Sequence, residues 1–366
     1  MLEIKASQTV KEGSIFGQIS SMDHEQLVVC HDEATGLKAL IGIHNTTLGP
    51  ALGGTRMWPY ATEEEAITDV LRLSRGMTFK NALAGLNLGG GKAVIIGDPK
   101  LKNEAFLRRF GRFVQSLGGR YVTAEDVNMK TSDMEYIAME TKHVTGLPEI
   151  KGGGGDPSPV TAYGTYMGMK AAAKKAFGSD SLSGKKICVQ GVGQVGKYLI
   201  EYLIKEGAEV LITDIFEDKL KKVALDTGAV AIDPNLIYDM DMDIYAPCAL
   251  GATINDDTID RLKCAVIAGG ANNQLKDEAK HGQILLEKGI IYAPDFLINA
   301  GGVINVGAEY FGGYNREIVY KQAEKIYDTC LYILNKSEKE NIPAQQAAIE
   351  AAKERINAIG RVKLSF

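Results

Sequence analysis

The chain contains no run of about 18 or more consecutive apolar residues, so nothing in it reads as a membrane-spanning helix. It also lacks any C-x-x-C pair: its five cysteines, Cys30, Cys188, Cys248, Cys264 and Cys330, are scattered and mostly set in apolar runs. That pattern excludes a disulfide framework and reads as reduced, buried thiols. The five histidines are dispersed without ligand spacing, which leaves no metal site to name. Positive charge is short as well. Lys and Arg number 41 against 46 Asp and Glu, a net charge of −5, and this argues against a nucleic-acid partner. Met1 is followed by Leu-Glu-Ile-Lys, with no charged-then-apolar leader pattern. A soluble cytoplasmic protein, with neither membrane nor nucleic acid as partner, is expected.

A P-loop is missing too, despite a stretch that invites one. Gly85 to Pro99 reads GLNLGGGKAVIIGDP, with three glycines ahead of Lys92. Counting back, Leu86 stands where the first P-loop glycine belongs, and Ala93 stands where the magnesium-binding hydroxyl belongs. Lys92 therefore has another task.

What is abundant is glycine, 41 residues in clusters, in a chain of 366 residues that is long enough for two cores. Leu27–Cys30 and Leu37–His44 read as strands. Thr62 and Glu65 form a capping box for a helix running toward Lys80. Ala93–Ile96 and Arg120–Ala124 read as strands around a helix from about Asn103 to Leu117. GLPEIKGGGGDPSP, Gly146 to Pro159, breaks the chain and marks a boundary or hinge. Beyond it strands and helices alternate, as in a parallel, doubly wound sheet. From Asn315 onward two helices are expected, broken near Ile342-Pro343. The fold class is α/β with two domains. Residues 1–146 form an N-terminal α/β domain, with a C-terminal helix at about 340–366 packing back on it, and 147–339 form a Rossmann-type domain across a cleft.

Gly191-Val192-Gly193-Gln194-Val195-Gly196 is G-x-G-x-x-G, and it follows a strand (KKICVQ) and opens a helix. Asp214, at the tip of the next strand, is the acidic residue such a site needs for ribose hydroxyls. Ile215 and Phe216 follow it rather than an arginine, so NAD is expected over NADP. Lys80 and Lys92 flank a glycine-rich connection, and a lysine in a dry site beside a second cation loses proton affinity, as a general base requires. Lys80 has an equally good reading as a solvated helix-end lysine. Asp126, after a strand of small residues, is either a third titrating group or an N-cap for the next helix.

The runs LGPALGGTRMW, RGMTFKNALAGLNLGGGKAVIIGDP, GRYVTAEDV, DPSPVTAYG, APCALGATIN and INAGGVINV, taken in order, resemble the glutamate/leucine/phenylalanine/valine dehydrogenase family. The resemblance implies NAD-dependent, reversible oxidative deamination of an L-amino acid to a 2-oxo acid and ammonia. It implies that Lys92 assists attack of water at the α-carbon, that Asp126 exchanges protons with the amino group, and that Lys80 binds the α-carboxylate. The glycines before Lys92 would give it backbone room against the substrate. Leu52, Gly53, Gly54, Ala124, Val303 and Val306 are implied at the substrate, and Asn273 at the cofactor with Gly191–Gly196 and Asp214. A homo-oligomer is implied, an octamer in the leucine-specific members.

The family's glutamate enzymes carry a lysine where this chain has Leu52 and a serine where it has Val306. A glutamate side chain would then be desolvated without a partner, which excludes it. L-Leucine and other branched-chain amino acids fit the apolar set best. Phenylalanine is the alternative, since Ala271-Asn272-Asn273 resembles phenylalanine-specific members equally well. Asn128-Met129-Lys130 and Gly153-Gly154-Gly155-Asp156 depart from the family pattern. A non-catalytic NAD-binding protein would show damage at Lys80, Lys92 or Asp126, and all are present. A hydroxy-acid dehydrogenase would want a histidine–carboxylate pair, whereas His143 and His281 read as surface residues.

Overall fold

The structure, a computed structural model, describes residues 14–363. The N-terminal Met1–Lys5 segment and the last residues of the expected C-terminal helix lie outside that range. The described chain clusters into two units. One comprises residues up to Thr78 together with Asn87–Leu147; the other comprises Phe79–Leu86 and the residues from Pro148 onward.

The first unit is built on strands β1 (Gln26–Asp32), β2 (Leu37–Asn45), β3 (Ala51–Trp58), β4 (Gly89–Ile96) and β5 (Tyr121–Glu125), in the spatial order β1-β2-β4-β3-β5. β1, β2 and β4 pair antiparallel, while β3 runs parallel to both β4 and β5. Helices α1 (Ile15–Ser21), α2 (Glu63–Leu83), α3 (Glu104–Ser116) and α4 (Thr131–Ala138) cover its two faces. Strand alternation sends Ala51, Met57, Ala93, Ile95 and Tyr121 into a core with Phe106 and Phe110 of α3 and Met134 and Ile137 of α4. The opposite face packs Leu40 and Val94 against Ala66, Val70 and Leu71 of α2. At the start of α2, Thr62 accepts the Glu65 N–H (3.1 Å) and the Glu65 carboxylate accepts the Ala61 N–H (3.0 Å).

The second unit carries strands β6 (Lys186–Gln190), β7 (Glu209–Thr213), β8 (Val230–Ala231), β9 (Ile244–Pro247), β10 (Val266–Ile267) and β11 (Ile291–Tyr292). All are parallel, in the order β11-β10-β9-β6-β7-β8. From β6 the chain steps outward to β8, then returns beside β6 with β9 and steps outward the other way. The β6/β9 junction is therefore the topological switch point of a doubly wound sheet. Its helices are α5 (Ser158–Phe177), α6 (Gln194–Glu206), α7 (Glu217–Thr227), α8 (Glu278–Glu287), α9 (Asp295–Ile298), α10 (Gly301–Tyr310), α11 (Arg316–Glu324), α12 (Ile326–Glu340) and α13 (Ala344–Lys363).

Two sequence expectations change here. From Asn315 onward there are three helices rather than two, because a break at Lys325 precedes the left-handed Asn341 and Pro343. Residues 89–91 are the first part of β4 rather than a loop. The C-terminal helix α13 belongs to the second unit, as do Phe79–Leu86, and Arg355 donates to the Ala82 (3.0 Å) and Leu86 (2.8 Å) carbonyls.

Candidate active site

In the first unit, alternation places Leu52 and Arg56 of β3, Gly90 and Lys92 of β4, and Ala124 of β5 on the face that α2 covers. Asp126, one residue past β5, joins them. Lys92 is only 5 % exposed, and its Nζ lies 3.0 Å from Asp126 Oδ1. A buried ammonium needs such a partner, so this contact is what allows a lysine inside a strand that is otherwise buried. Burial by itself would raise the Asp126 carboxyl. Lys92, and after it Arg56, outweigh that and bring it down to about 2.

Arg56 and Asp69 escaped the sequence reading. Arg56 Nε donates to Asp126 Oδ2 (2.9 Å) and its Nη1 donates to Asp69 Oδ2 (3.0 Å), which also accepts the Tyr60 hydroxyl (2.6 Å). Burial works against the Arg56 charge, and the two aspartates more than restore it. The readable signal was a lone arginine in an otherwise small and apolar run, ALGGTRMW, which only a strand reading would have turned toward Lys92.

The glycines before Lys92 are filled by protein rather than left as room for substrate, a correction to the sequence expectation. A Cβ at Gly89 would lie 2.0 Å from the Asn45 carbonyl oxygen, at Gly90 2.2 Å from the Thr78 amide nitrogen, and at Gly91 2.7 Å from the Tyr121 ring. Glycine lets β4 touch α2 and its neighbouring strands at backbone distance. Gly54 serves Asp126 in the same way, since a Cβ there would come 2.5 Å from the Glu125 carbonyl oxygen and 2.9 Å from the Asp126 Cβ. Gly53 abuts the Gly91 carbonyl.

Asp126 is not a helix cap: Lys130 stands at that position of α4, its N–H bonded to Asp133. The unusual Asn128-Met129-Lys130 run is an ordered turn. Asn128 has φ +61°, its side chain donates to the Met57 carbonyl (3.0 Å), and the Met129 N–H donates to the Asp126 carbonyl (2.9 Å). Lys102 braces it through the Asn128 carbonyl (2.7 Å) and Asp133.

In the second unit, the G-x-G-x-x-G loop joins β6 to α6 at the switch point. Gly191 has φ +103°, and a Cβ on Gly196 would sit 2.1 Å from the Gly191 oxygen. A Cβ on Gly193 would meet nothing within 4 Å. No side chain caps α6 and no acidic residue lies in its first turn, so its N-terminal amides can take an anion. Asp214 accepts the Val192 N–H (2.8 Å) on one oxygen and the Phe216 N–H (2.9 Å) on the other. Asn273 is left-handed at φ +52°, and its carbonyl accepts the Ala252 N–H.

Lys80 donates to the side chain of Asn272 (3.1 Å), next in sequence to the expected cofactor residue Asn273, and Asn299 donates to the same oxygen (2.7 Å). Val303 and Val306 are both buried on α10. The Gly153–Asp156 run is tied to that helix, with the Gly154 N–H on Glu309 (3.0 Å) and the Gly154 carbonyl accepting from Asn305 (3.3 Å). His143 and His281 are buried rather than on the surface, and His281 pairs with Asp256 (3.2 Å) at the start of α8.

Comparison with known proteins decides what these residues belong to. The model of the Glu/Leu/Phe/Val dehydrogenase dimerisation domain matches residues 24–143, and that of the glutamate/leucine/phenylalanine/valine dehydrogenases matches residues 152–214 and 212–362. The chain belongs to the Glu/Leu/Phe/Val dehydrogenase family. It is 58% identical over 353 residues to the leucine dehydrogenases of Thermoactinomyces intermedius and Bacillus subtilis, covering 96% of this chain and of each relative. Its fold is similar to the crystal structure of L-tryptophan dehydrogenase from Nostoc punctiforme, with a TM-score of 0.84 and 44% identity over 94% of this chain and 99% of that one. As a Glu/Leu/Phe/Val dehydrogenase it is an amino-acid dehydrogenase, an oxidoreductase with α/β units. Among the described residues no helix is long and apolar enough to cross a membrane.

Proposed function

We propose that this amino-acid dehydrogenase catalyses the NAD-dependent, reversible oxidative deamination of L-leucine and other branched-chain L-amino acids to 2-oxo acids and ammonia. The observation that carries the reading is the buried Lys92–Asp126 pair at 3.0 Å, on a sheet face it shares with Leu52 and Ala124. Lys92 assists attack of water at the α-carbon, and its proton can return through Asp126. Asp126, held as a carboxylate at rest by Lys92 and Arg56, takes up and returns a proton transiently at the substrate amino group. Lys80 holds the α-carboxylate. Leu52, Gly53, Gly54, Ala124, Val303 and Val306 serve the substrate, and the apolar ones leave a glutamate carboxylate without a partner.

Residues of the second unit fit a dinucleotide. Gly193 leaves space for a pyrophosphate at the α6 N-terminus, and Asp214 keeps lone pairs for ribose hydroxyls after accepting Val192 and Phe216. When bound, the nicotinamide supplies the acceptor for the α-carbon hydride. Asn273 is assigned to the same cofactor. The negative charge of Asp214, with no arginine following, supports NAD over NADP. Residues 1–146 are assigned to substrate and assembly and 147–339 to NAD. The reading includes a homo-oligomer, supported by the exposed Val29 on edge strand β1, and a reducing cytoplasmic setting, supported by free cysteines.

The test is NADH formation at alkaline pH with L-leucine, L-valine, L-isoleucine, L-phenylalanine and L-glutamate supplied separately, repeated with NADP. Leucine is expected to lead, the other branched-chain substrates to follow, and NADP to fail. A lead for phenylalanine would overturn the pocket assignment, and no turnover on any substrate would overturn the reaction.

A further inference from the structure

The proposed chemistry uses Lys92 and Asp126 and leaves Arg56, which touches the same carboxylate, without a task. We infer that Arg56 is a positioning residue: anchored at its far end by Asp69 and Tyr60, it holds one oxygen of Asp126 so that the other is presented to Lys92. The inference rests on the reading of Asp126 as the proton-exchanging group.

The geometry divides the carboxylate between two cations on different strands. Oδ2 accepts from Arg56 Nε at 2.9 Å, and Oδ1 faces Lys92 Nζ at 3.0 Å. A carboxylate with one partner can turn about its terminal bond and offer either oxygen, and two partners on opposite sides remove that freedom. Arg56 is fixed in its turn. Its Nη1 meets Asp69 Oδ2 at 3.0 Å, and the Tyr60 hydroxyl bonds that same oxygen at 2.6 Å. Arg72, 3.6 Å from the other Asp69 oxygen, completes the row of charges. Only a planar guanidinium reaches two carboxylates through separate N–H groups in one plane, so a lysine at position 56 would hold one aspartate and release the other. The α2 residue Asp69 thereby sets the orientation of a side chain at the end of β5.

The experiment measures kcat and KM for L-leucine, with thermal melting as the folding check, in Arg56→Gln, Arg56→Lys, Asp69→Asn and Tyr60→Phe. Arg56→Gln and Asp126→Asn are also combined in a double-mutant cycle. Arg56→Gln is expected to lower kcat about 10- to 100-fold with KM within about threefold, the cost of a misplaced catalytic group. Arg56→Lys recovers little of this, and Asp69→Asn falls between. Arg56→Gln added to Asp126→Asn causes no further loss, because Arg56 acts through that carboxylate. Tyr60→Phe removes a single hydroxyl and keeps the question open to test should the arginine variants fail to fold; its kcat is expected to fall a few-fold. A wild-type kcat in Arg56→Gln, or losses that multiply in the double variant, would overturn the inference while leaving the reading of Asp126 intact. A wild-type rate in Asp126→Asn would overturn that reading, and the inference with it.

Discussion

Replacing Gly90 with alanine is expected to push β4 off α2 and to carry Lys92 out of place. The added Cβ would lie 2.1 Å from Thr78 Oγ1, 2.2 Å from its amide nitrogen and 2.5 Å from its Cα, where ordinary contact begins at 3.4 Å. Backbone atoms cannot rotate away, so strand and helix must separate by about 1 Å. Thr78 has little freedom to yield, because its hydroxyl bonds His44 Nδ1 at 2.8 Å. Overpacking of this kind costs about 1–3 kcal/mol, which corresponds to a melting point lower by about 3–10 °C. Lys92 is two residues along the same strand, and a displacement of about 1 Å in a catalytic group costs on the order of 100-fold in kcat. Gly76→Ala, in α2 with nothing within 4 Å of its would-be Cβ, is the control and should melt at or slightly above the wild-type temperature. Both variants are read by scanning fluorimetry and by initial rates of NADH formation. A Gly90→Ala enzyme with unchanged melting point and kcat would refute the account of the glycine run.

Three further outcomes follow from the same geometry. Burial, assisted by Arg75 and opposed by the Leu71 carbonyl and Asp23, lowers His24 from 6.5 to about 4. The unfolded chain therefore binds a proton between those values that the folded chain refuses, and stability falls by about 3 kcal/mol as pH drops from 6.5 to 4. Chemical denaturation at several pH values should show this slope and show it flattened in His24→Gln; equal slopes would refute it. Asp214→Ala removes the acceptor of the Val192 and Phe216 amides, and it should raise KM for NAD about 10- to 100-fold and weaken discrimination against NADP. An unchanged KM would show that Asp214 serves the loop alone. Leu52→Ala empties a side chain only 1 % exposed, at a cost of about 2–5 kcal/mol. It should favour phenylalanine over valine by about tenfold in kcat/KM, whereas equal losses on both would assign Leu52 to the core.

The second unit was legible because local signals agreed. KKICVQ is a continuous apolar strand, the glycines follow at the required spacing, and the helix after them is strongly amphipathic, so strand, turn and helix each confirmed the others. The first unit was less legible where glycine stands inside strands. β3 was not read as a strand, because Gly53-Gly54 signals a turn when neighbours are unseen, although close approach to Gly91 and Asp126 is what demands glycine there. Missing β3 hid Arg56, whose direction toward Asp126 exists only once the strand register is known. Lys92 and Asp126, 34 positions apart, stood out separately by their local settings and gained a joint role only through motif resemblance, and parallel pairing of β3 with both β4 and β5 is what brings them together. His281 misled for a related reason: its partner Asp256 lies 25 positions away, with nothing local to announce the pair.

The most direct test of the central claim is the rate of Lys92→Ala with saturating L-leucine and NAD, measured on protein shown to be folded and to retain NAD binding. If Lys92 performs the chemistry beside Asp126, kcat should fall by about 10³-fold or more, because a positioned proton-transfer group is lost and Asp126 loses the cation that faces its Oδ1. A variant that binds NAD, melts normally and still turns over leucine within about tenfold of the wild-type rate would contradict the account.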